Sequence, residues 1–134
     1  MTKLIRTAVL SLTCVISAAA WVSVSAQDIP QRKELKRGDL TGATGMEVIS
    51  STIEYKPGEE LVAHTHHGIE MGYVLQGAML QAPGKEAFMF PTGASFMYLR
   101  DVPHSGAKVV GDQSLKMFAV HTVDKGKPLY EPVK

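Results

Sequence analysis

The chain has 134 residues, 14 Lys and Arg against 13 Asp and Glu, and a formal net charge of +1 at pH 7. This balance argues against a protein that recognises nucleic acid or an anionic membrane through a charged surface. The length allows one domain with a hydrophobic core but not two. Cys14 is the only cysteine, so no disulfide can form within the chain.

Residues 1–26 are predicted to be a signal peptide. Lys3 and Arg6 form a basic start, residues 7–24 are almost all apolar or small, and a Val-Ser-Ala run ends at Ala26. The alternative is an uncleaved membrane anchor, because an apolar run of about 18 residues can just span a bilayer. Cleavage after Ala26 predicts a periplasmic or secreted protein of 108 residues that contains no cysteine and does not contact the membrane.

Three segments follow: a polar N-terminal leader at 27–45, a main domain at 46–125 and a C-terminal tail at 126–134. The leader carries a basic cluster that could meet an acidic partner, although a solvated segment is the more common explanation. In the main domain, short apolar or alternating runs are separated by turn signals such as Pro57-Gly58 and Pro83-Gly84. About eight such strands predict an all-β sandwich or barrel.

Within this domain the chain reads Gly58-x5-His64-x-His66-x3-Glu70-x6-Gly77. Residues two apart on a strand point to the same face, so His64 and His66 can aim two imidazoles at one point. Glu70 can join them only if the chain bends back. His67-Gly68 is a plausible position for that bend, because glycine accepts positive φ at little cost.

This spacing resembles the first motif of the cupin superfamily. A second cupin motif is matched in part: Gly93 and His104 hold, while Leu99, Asp101 and Lys108 stand where the family has Pro, Gly and Asn. The resemblance covers about half of the chain, residues 55–123. It implies a double-stranded β-helix, the cupin jelly-roll barrel, with a metal inside its wider end.

The resemblance also implies the ligand set His64, His66, Glu70 and His104. Three imidazoles and one carboxylate suit one divalent transition metal, and Fe, Mn, Zn, Ni and Cu all fit this set. The ligand types alone do not identify the native ion, because the affinity order favours copper and zinc whatever the protein uses.

Three further residues are candidates for catalysis. Strand alternation places Lys108 on the face of His104, where it could anchor a carboxylate or donate a proton; a register slip would instead send it to solvent. Tyr98 is expected at the cavity mouth, and a register slip would move it to solvent as well. His121 could donate to a substrate if its strand face looks inward, and otherwise is a partly exposed strand histidine.

Two expectations concern packing. Gly72 shares a face with Glu70, so its missing side chain could keep space open beside the metal; the alternative is a backbone bulge. The methionines at 71, 79, 89, 97 and 117 are expected to fill the core.

The sequence therefore predicts an exported mononuclear metal-binding cupin. The first hypothesis is a metalloenzyme of the oxygenase type (dioxygenases included), isomerase type or lyase type, acting on a small oxygen-rich organic acid or sugar derivative. The alternative is a non-catalytic binding module in which the metal organises a pocket for a small ligand. Pairing of edge strands into a homodimer is also expected.

Overall fold

The computed structural model describes residues 28–133, which form eleven strands and no helix. The strands are β1 (Arg32–Asp39), β2 (Met46–Tyr55), β3 (Glu60–Leu61), β4 (His64–Thr65), β5 (Gly68–Gln76), β6 (Ala78–Gln81), β7 (Phe88–Phe90), β8 (Ser95–Tyr98), β9 (Ala107–Val110), β10 (Leu115–Asp124) and β11 (Glu131–Pro132). The predicted signal peptide lies outside these residues. Within the described part of the chain, no helix has the length and hydrophobicity needed to cross a membrane.

The strands pair antiparallel into two main sheets and one short pair. The larger sheet has the order β1-β2-β10-β5-β8, the second β3-β9-β6-β7, and β11 pairs with β4. Both main sheets contribute to one apolar core, which includes Ile53, Val74, Leu80, Val109 and Leu115. The all-β cupin jelly roll predicted from the sequence is confirmed.

Strict alternation along β2 and β10 fixes which side chains enter the barrel. Every second residue of both strands is buried, as expected where one face of a sheet covers a core. In this register His121 lies opposite Ile49 on one side and Glu70 on the other. The central strand of the sheet therefore places a histidine next to a predicted metal ligand.

Both terminal segments belong to the sheets, which differs from the prediction. The leader contains β1, an exposed edge strand paired with β2, and its Arg32 and Arg37 form ion pairs with acidic side chains of the same chain. The expected C-terminal tail contains Leu129 and Tyr130, each only 5 % exposed, before β11 pairs with β4. Residues 128–132 are thus part of the domain.

The outer face of the larger sheet is apolar over β5 and β8. On β5 and β8, Met71 pairs across the strands with Met97, and Tyr73 lies beside them; all three side chains are exposed. The expectation that the methionines fill the core is confirmed for Met117 but wrong for Met71, Met89 and Met97. The alternation of these strands assigns them to the outside. Homodimerisation through edge strands stays a prediction.

Candidate metal centre

The four predicted ligands meet inside the barrel. His64 opens β4, His66 follows it, Glu70 lies in β5, and His104 faces His64 across an isolated bridge. One donor atom from each residue can be chosen so that all four lie within 4.8 Å of one another, and all four residues are buried. The motif spacing thus describes a real cluster.

The position of Glu70 beside the histidines depends on Gly68, but not through the positive φ that the sequence analysis expected. Its φ is not positive. Instead, a Cβ at this position would lie 2.1 Å from the carbonyl oxygen of Thr122 on the neighbouring β10. Gly68 therefore permits close approach of β5 to β10, which brings Glu70 beside His121.

Backbone carbonyls fix the tautomer of the three imidazoles. Nδ1 of His64 donates to the carbonyl of Val62 at 2.7 Å, and Nδ1 of His104 donates to that of Val102 at 2.9 Å. Nδ1 of His66 donates to the carbonyl of Leu129. With the proton on Nδ1, each neutral ring presents the lone pair of Nε2 to the centre of the cluster.

These lone pairs require a cation. Nε2 of His66 lies 3.2 Å from Nε2 of His104 and 3.0 Å from Oε2 of Glu70. Nε2 of His64 is buried without a hydrogen-bond partner. Unprotonated nitrogens and a carboxylate at such distances repel one another unless a positive charge lies between them. A carbonyl acceptor on the other ring nitrogen is also the usual support of a metal-binding histidine, so the residues fit a divalent metal.

The ionisation states suit metal binding at neutral pH. Burial lowers the pKa of His64 to about 4, although its hydrogen bond to Val62 acts in the opposite direction. Burial acts to raise the pKa of Glu70, but positive charge in the cluster, supplied in the metal-free protein by a neighbouring histidine when it is protonated, holds that pKa well below the usual range. A neutral imidazole and an ionised carboxylate are the forms that bind metals.

His121 is a fourth imidazole beside the cluster. It is fully buried, its Nε2 lies 3.6 Å from Oε1 of Glu70, and neither ring nitrogen has a hydrogen-bond partner. The alternative of a partly exposed strand histidine is therefore wrong. Burial also lowers the pKa of His121 to about 4. His121 faces the carboxylate oxygen that His66 and His104 do not contact, and so can fix the orientation of Glu70.

A cavity of about 210 Å³ opens beside His64 and Glu70. Much of its wall is apolar and includes Leu61, Leu80, Phe88, Phe90, Phe96 and Met117. Tyr98 also lines it and stacks on the ring of His104, with centroids 3.9 Å apart and planes 8° from parallel. The structure thus places Tyr98 in the wall of the cavity, against a metal ligand.

Lys108 lies outside the cavity. It is exposed on β9, opposite Glu60 of β3, while its neighbour Ala107 lines the cavity. Ser105 and Gly106 both have positive φ, 68° and 81°, and these two residues interrupt the alternation that would carry Lys108 to the face of His104. The cavity-facing orientation of Lys108 is wrong, and the cavity wall contains no Lys or Arg among residues 28–133.

Gly72 does not leave open space beside the metal. It pairs across the strands with Phe96, and a Cβ on Gly72 would lie 2.2 Å from Cζ of that ring. The register shift between β5 and β10 occurs further along, at Lys116 and Met117, so the bulge alternative does not explain Gly72 either. Gly72 makes room for an aromatic ring that lines the cavity.

Tyr130 is the site residue that the sequence prediction missed. Its ring lies 4.8 Å from that of His64 and 5.1 Å from that of His66. Its hydroxyl oxygen is buried without a partner, and the side chain lines the cavity. The apolar Leu129-Tyr130 pair after Pro128 is the one signal in the sequence that could have indicated burial.

Comparison with known proteins agrees with this fold. Among the solved structures that share the fold is a cupin-like protein from Thermotoga maritima, with 23 % identity, TM-score 0.51 and 77 % of each chain covered. Another is the polyketide cyclase RemF from Streptomyces resistomycificus, with 21 % identity, TM-score 0.50, and 69 % of this chain and 74 % of that chain covered. No curated protein matches the chain. The family model for the cupin domain matches residues 51–121, more than half of the sequence, and the chain belongs to the cupin family.

Proposed function

We propose that the mature protein is a metal-dependent cupin enzyme that holds one divalent transition metal on His64, His66, Glu70 and His104. The observation that carries the proposal is the convergence of three imidazole lone pairs and a carboxylate at the edge of an open cavity. A metal bound there would act as a Lewis acid or redox centre toward a small organic ligand. Such a site can support oxygenase, isomerase and lyase reactions.

The chain itself supplies two hydrogen-bond donors in the cavity wall, the hydroxyls of Tyr98 and Tyr130. Burial, reinforced by the charge of Glu70, raises the pKa of Tyr98, and the same causes raise that of Tyr130 far above the usual range. Both hydroxyls therefore keep their protons at neutral pH and can donate hydrogen bonds to a ligand oxygen. The unpartnered hydroxyl of Tyr130 gains such a partner only when a ligand or water is bound.

The binding-module hypothesis remains the second candidate, because the cavity wall is largely apolar and Lys108 does not supply a proton to it. Turnover separates the two hypotheses. A binding module would hold metal and ligand without changing the ligand, whereas an enzyme would consume it.

The test uses protein produced in the periplasm, since export with cleavage after Ala26 is part of the proposal. Mass analysis should place Gln27 at the N-terminus, and metal analysis should give close to one divalent metal per chain. A screen of oxygen uptake and substrate loss on small organic molecules follows. Metal-loaded protein that binds a ligand but never converts it would favour the binding module, and metal-free protein of correct mass would contradict the proposed function.

His67 provides the matched control. It is the neighbouring imidazole but lies outside the cluster, where it pairs with Glu131 at 2.9 Å. His67→Ala should keep metal and activity, while His66→Ala should lose both. Equal losses in the two variants would contradict the assigned ligand set.

A further inference from the structure

We propose that the ligand of this cavity is a molecule with a single aromatic ring and one oxygen donor group, rather than an oxygen-rich acid or sugar. This inference rests on the proposed metal site and adds the class of molecule that would reach it. Its basis is the arrangement of aromatic side chains, the position of the polar groups and the size of the cavity.

An unbroken series of rings runs along the cavity wall to the metal ligands. The ring centroids of Phe90 and Phe96 are 6.2 Å apart, those of Phe96 and Tyr98 5.4 Å, and those of Tyr98 and His104 3.9 Å. Separations of about 4.5–7 Å are those at which aromatic rings attract one another beyond simple burial. A ligand ring placed along this wall would find such partners on its way to the metal.

The backbone is adapted to one of these rings. Phe96 lies over Gly72, where a Cβ would come within 2.2 Å of its ring, so any other residue would force the ring or the backbone to shift. Glycine in a strand interior costs stability relative to residues with side chains. The cavity retains an aromatic wall at this cost, which is difficult to explain if the ligand were a small polar acid.

The polar groups of the cavity wall are two metal ligands and a few hydroxyls, those of Tyr55, Tyr98, Ser105 and Tyr130. His64 and Glu70 belong to the metal cluster, Tyr98 stacks on His104, and Tyr130 contacts His64. The remaining wall offers Leu80, Phe88 and other apolar side chains, with no Lys or Arg among residues 28–133. A second carboxylate on the ligand would lose water there without gaining a cationic partner.

The size agrees with one ring. Benzene fills an apolar protein cavity of about 150 Å³, whereas this cavity measures about 210 Å³. The difference accommodates one small oxygen-bearing substituent directed to the metal. Phe88, which lines the cavity and is 50 % exposed, lies where the cavity meets solvent.

The test compares ligands that differ only in the ring. Protein loaded with Zn²⁺, its metal content measured first, is titrated with benzoate, acetate and oxalate by isothermal calorimetry. Benzoate and acetate share the carboxylate, so the ratio of their dissociation constants measures the contribution of the ring. We expect benzoate to bind at least about tenfold more tightly, because the ring buries apolar surface. Acetate or oxalate affinity equal to or above that of benzoate would overturn the inference.

Two phenylalanines provide a matched pair of variants. Phe96→Leu should lower benzoate affinity about fivefold and leave acetate affinity unchanged, since it removes only contacts between rings. Phe118→Leu, on the outer face of β10, should change neither. If Phe96→Leu does not fold, Phe90→Leu takes its place. Equal effects at positions 96 and 118 would contradict the inference.

Failure of the metal site is recognised separately. A chain that holds no Zn²⁺ contradicts the proposed function. In that case the comparison is repeated by NMR on metal-free protein with two neutral ligands, phenol, which has the ring, and methanol, which lacks it. Preference for phenol would support the aromatic cavity without the metal, and equal weak binding of both would overturn it.

Discussion

Deletion of residues 128–134 is the most informative perturbation, because the structure gives the C-terminal segment two separate roles. Leu129 and Tyr130 are each 5 % exposed, and burial of a large apolar side chain contributes roughly 1.5–3 kcal/mol. The deletion should therefore lower the free energy of unfolding by roughly 3–6 kcal/mol, a large part of the roughly 5–15 kcal/mol of a typical domain.

The second role concerns His66, whose Nδ1 donates to the carbonyl of Leu129. Loss of such a partner lowers metal affinity roughly 10–100-fold. Tyr130→Ala separates the two roles, since it keeps the backbone carbonyl: it should cost about 3–5 kcal/mol of stability, by analogy with other large aromatic truncations, and change metal affinity little.

The assays are urea unfolding of metal-free protein and competition for Zn²⁺ with a chromophoric chelator. The control deletes only residues 133 and 134, removing an exposed valine and its one backbone hydrogen bond to Ala63, and should cost no more than about 1.5 kcal/mol. Equal stability and equal metal affinity in the two deletion variants would refute the reasoning. Residues 128–132 would then be a tail outside the domain, as the sequence analysis predicted.

Three further predictions concern single positions and pH. Tyr130→Phe should leave the free energy of unfolding of the ligand-free protein unchanged or raise it by about 1 kcal/mol, because a buried hydroxyl without a partner is removed; a clear loss in urea unfolding would mean that the hydroxyl has a partner. Gly72→Ala should cost about 1–3 kcal/mol by overpacking against Phe96 and alter the near-UV circular dichroism of the aromatic wall; an unchanged spectrum and stability would contradict the close contact. Metal-free protein should lose stability as the pH falls from about 6.5 to about 4, because His64 and His121 have folded pKa values of about 4 and the unfolded chain therefore binds more protons in that window. Each contributes on the order of 3 kcal/mol, and urea midpoints that stay constant from pH 7 to 4 would exclude the neutral buried state.

Local spacing predicted the all-β character and the grouping of His64, His66 and Glu70, whereas the jelly roll and the fourth ligand, His104, were predicted from the resemblance to cupins. Two imidazoles two residues apart, a carboxylate four residues later and regular turn signals are enough to place strands and a cluster. The argument from spacing requires no knowledge of how distant segments pack, but the contact of His104 with this group does, because it forms across an isolated bridge to His64.

The neighbouring residues depend on such packing and were harder to place. Lys108 is displaced by positive φ at Ser105, a conformation uncommon for a residue with a side chain and therefore not anticipated from alternation. Tyr130 enters the site from the chain end through pairing of β11 with β4, and His121 through the register of β10 with β5. Long-range strand pairing decides all such positions, and hydrophobic pattern specifies it only in part.

Metal binding by the cluster is tested most directly by titrating the metal-free protein with Zn²⁺ and comparing it with the His64→Ala/His66→Ala double variant. The account predicts about one metal per wild-type chain, X-ray absorption showing nitrogen and oxygen neighbours at about 2.0–2.2 Å, and a folded double variant that retains no tightly bound metal. An unchanged stoichiometry in the double variant, or a wild-type chain that binds no metal, would contradict it.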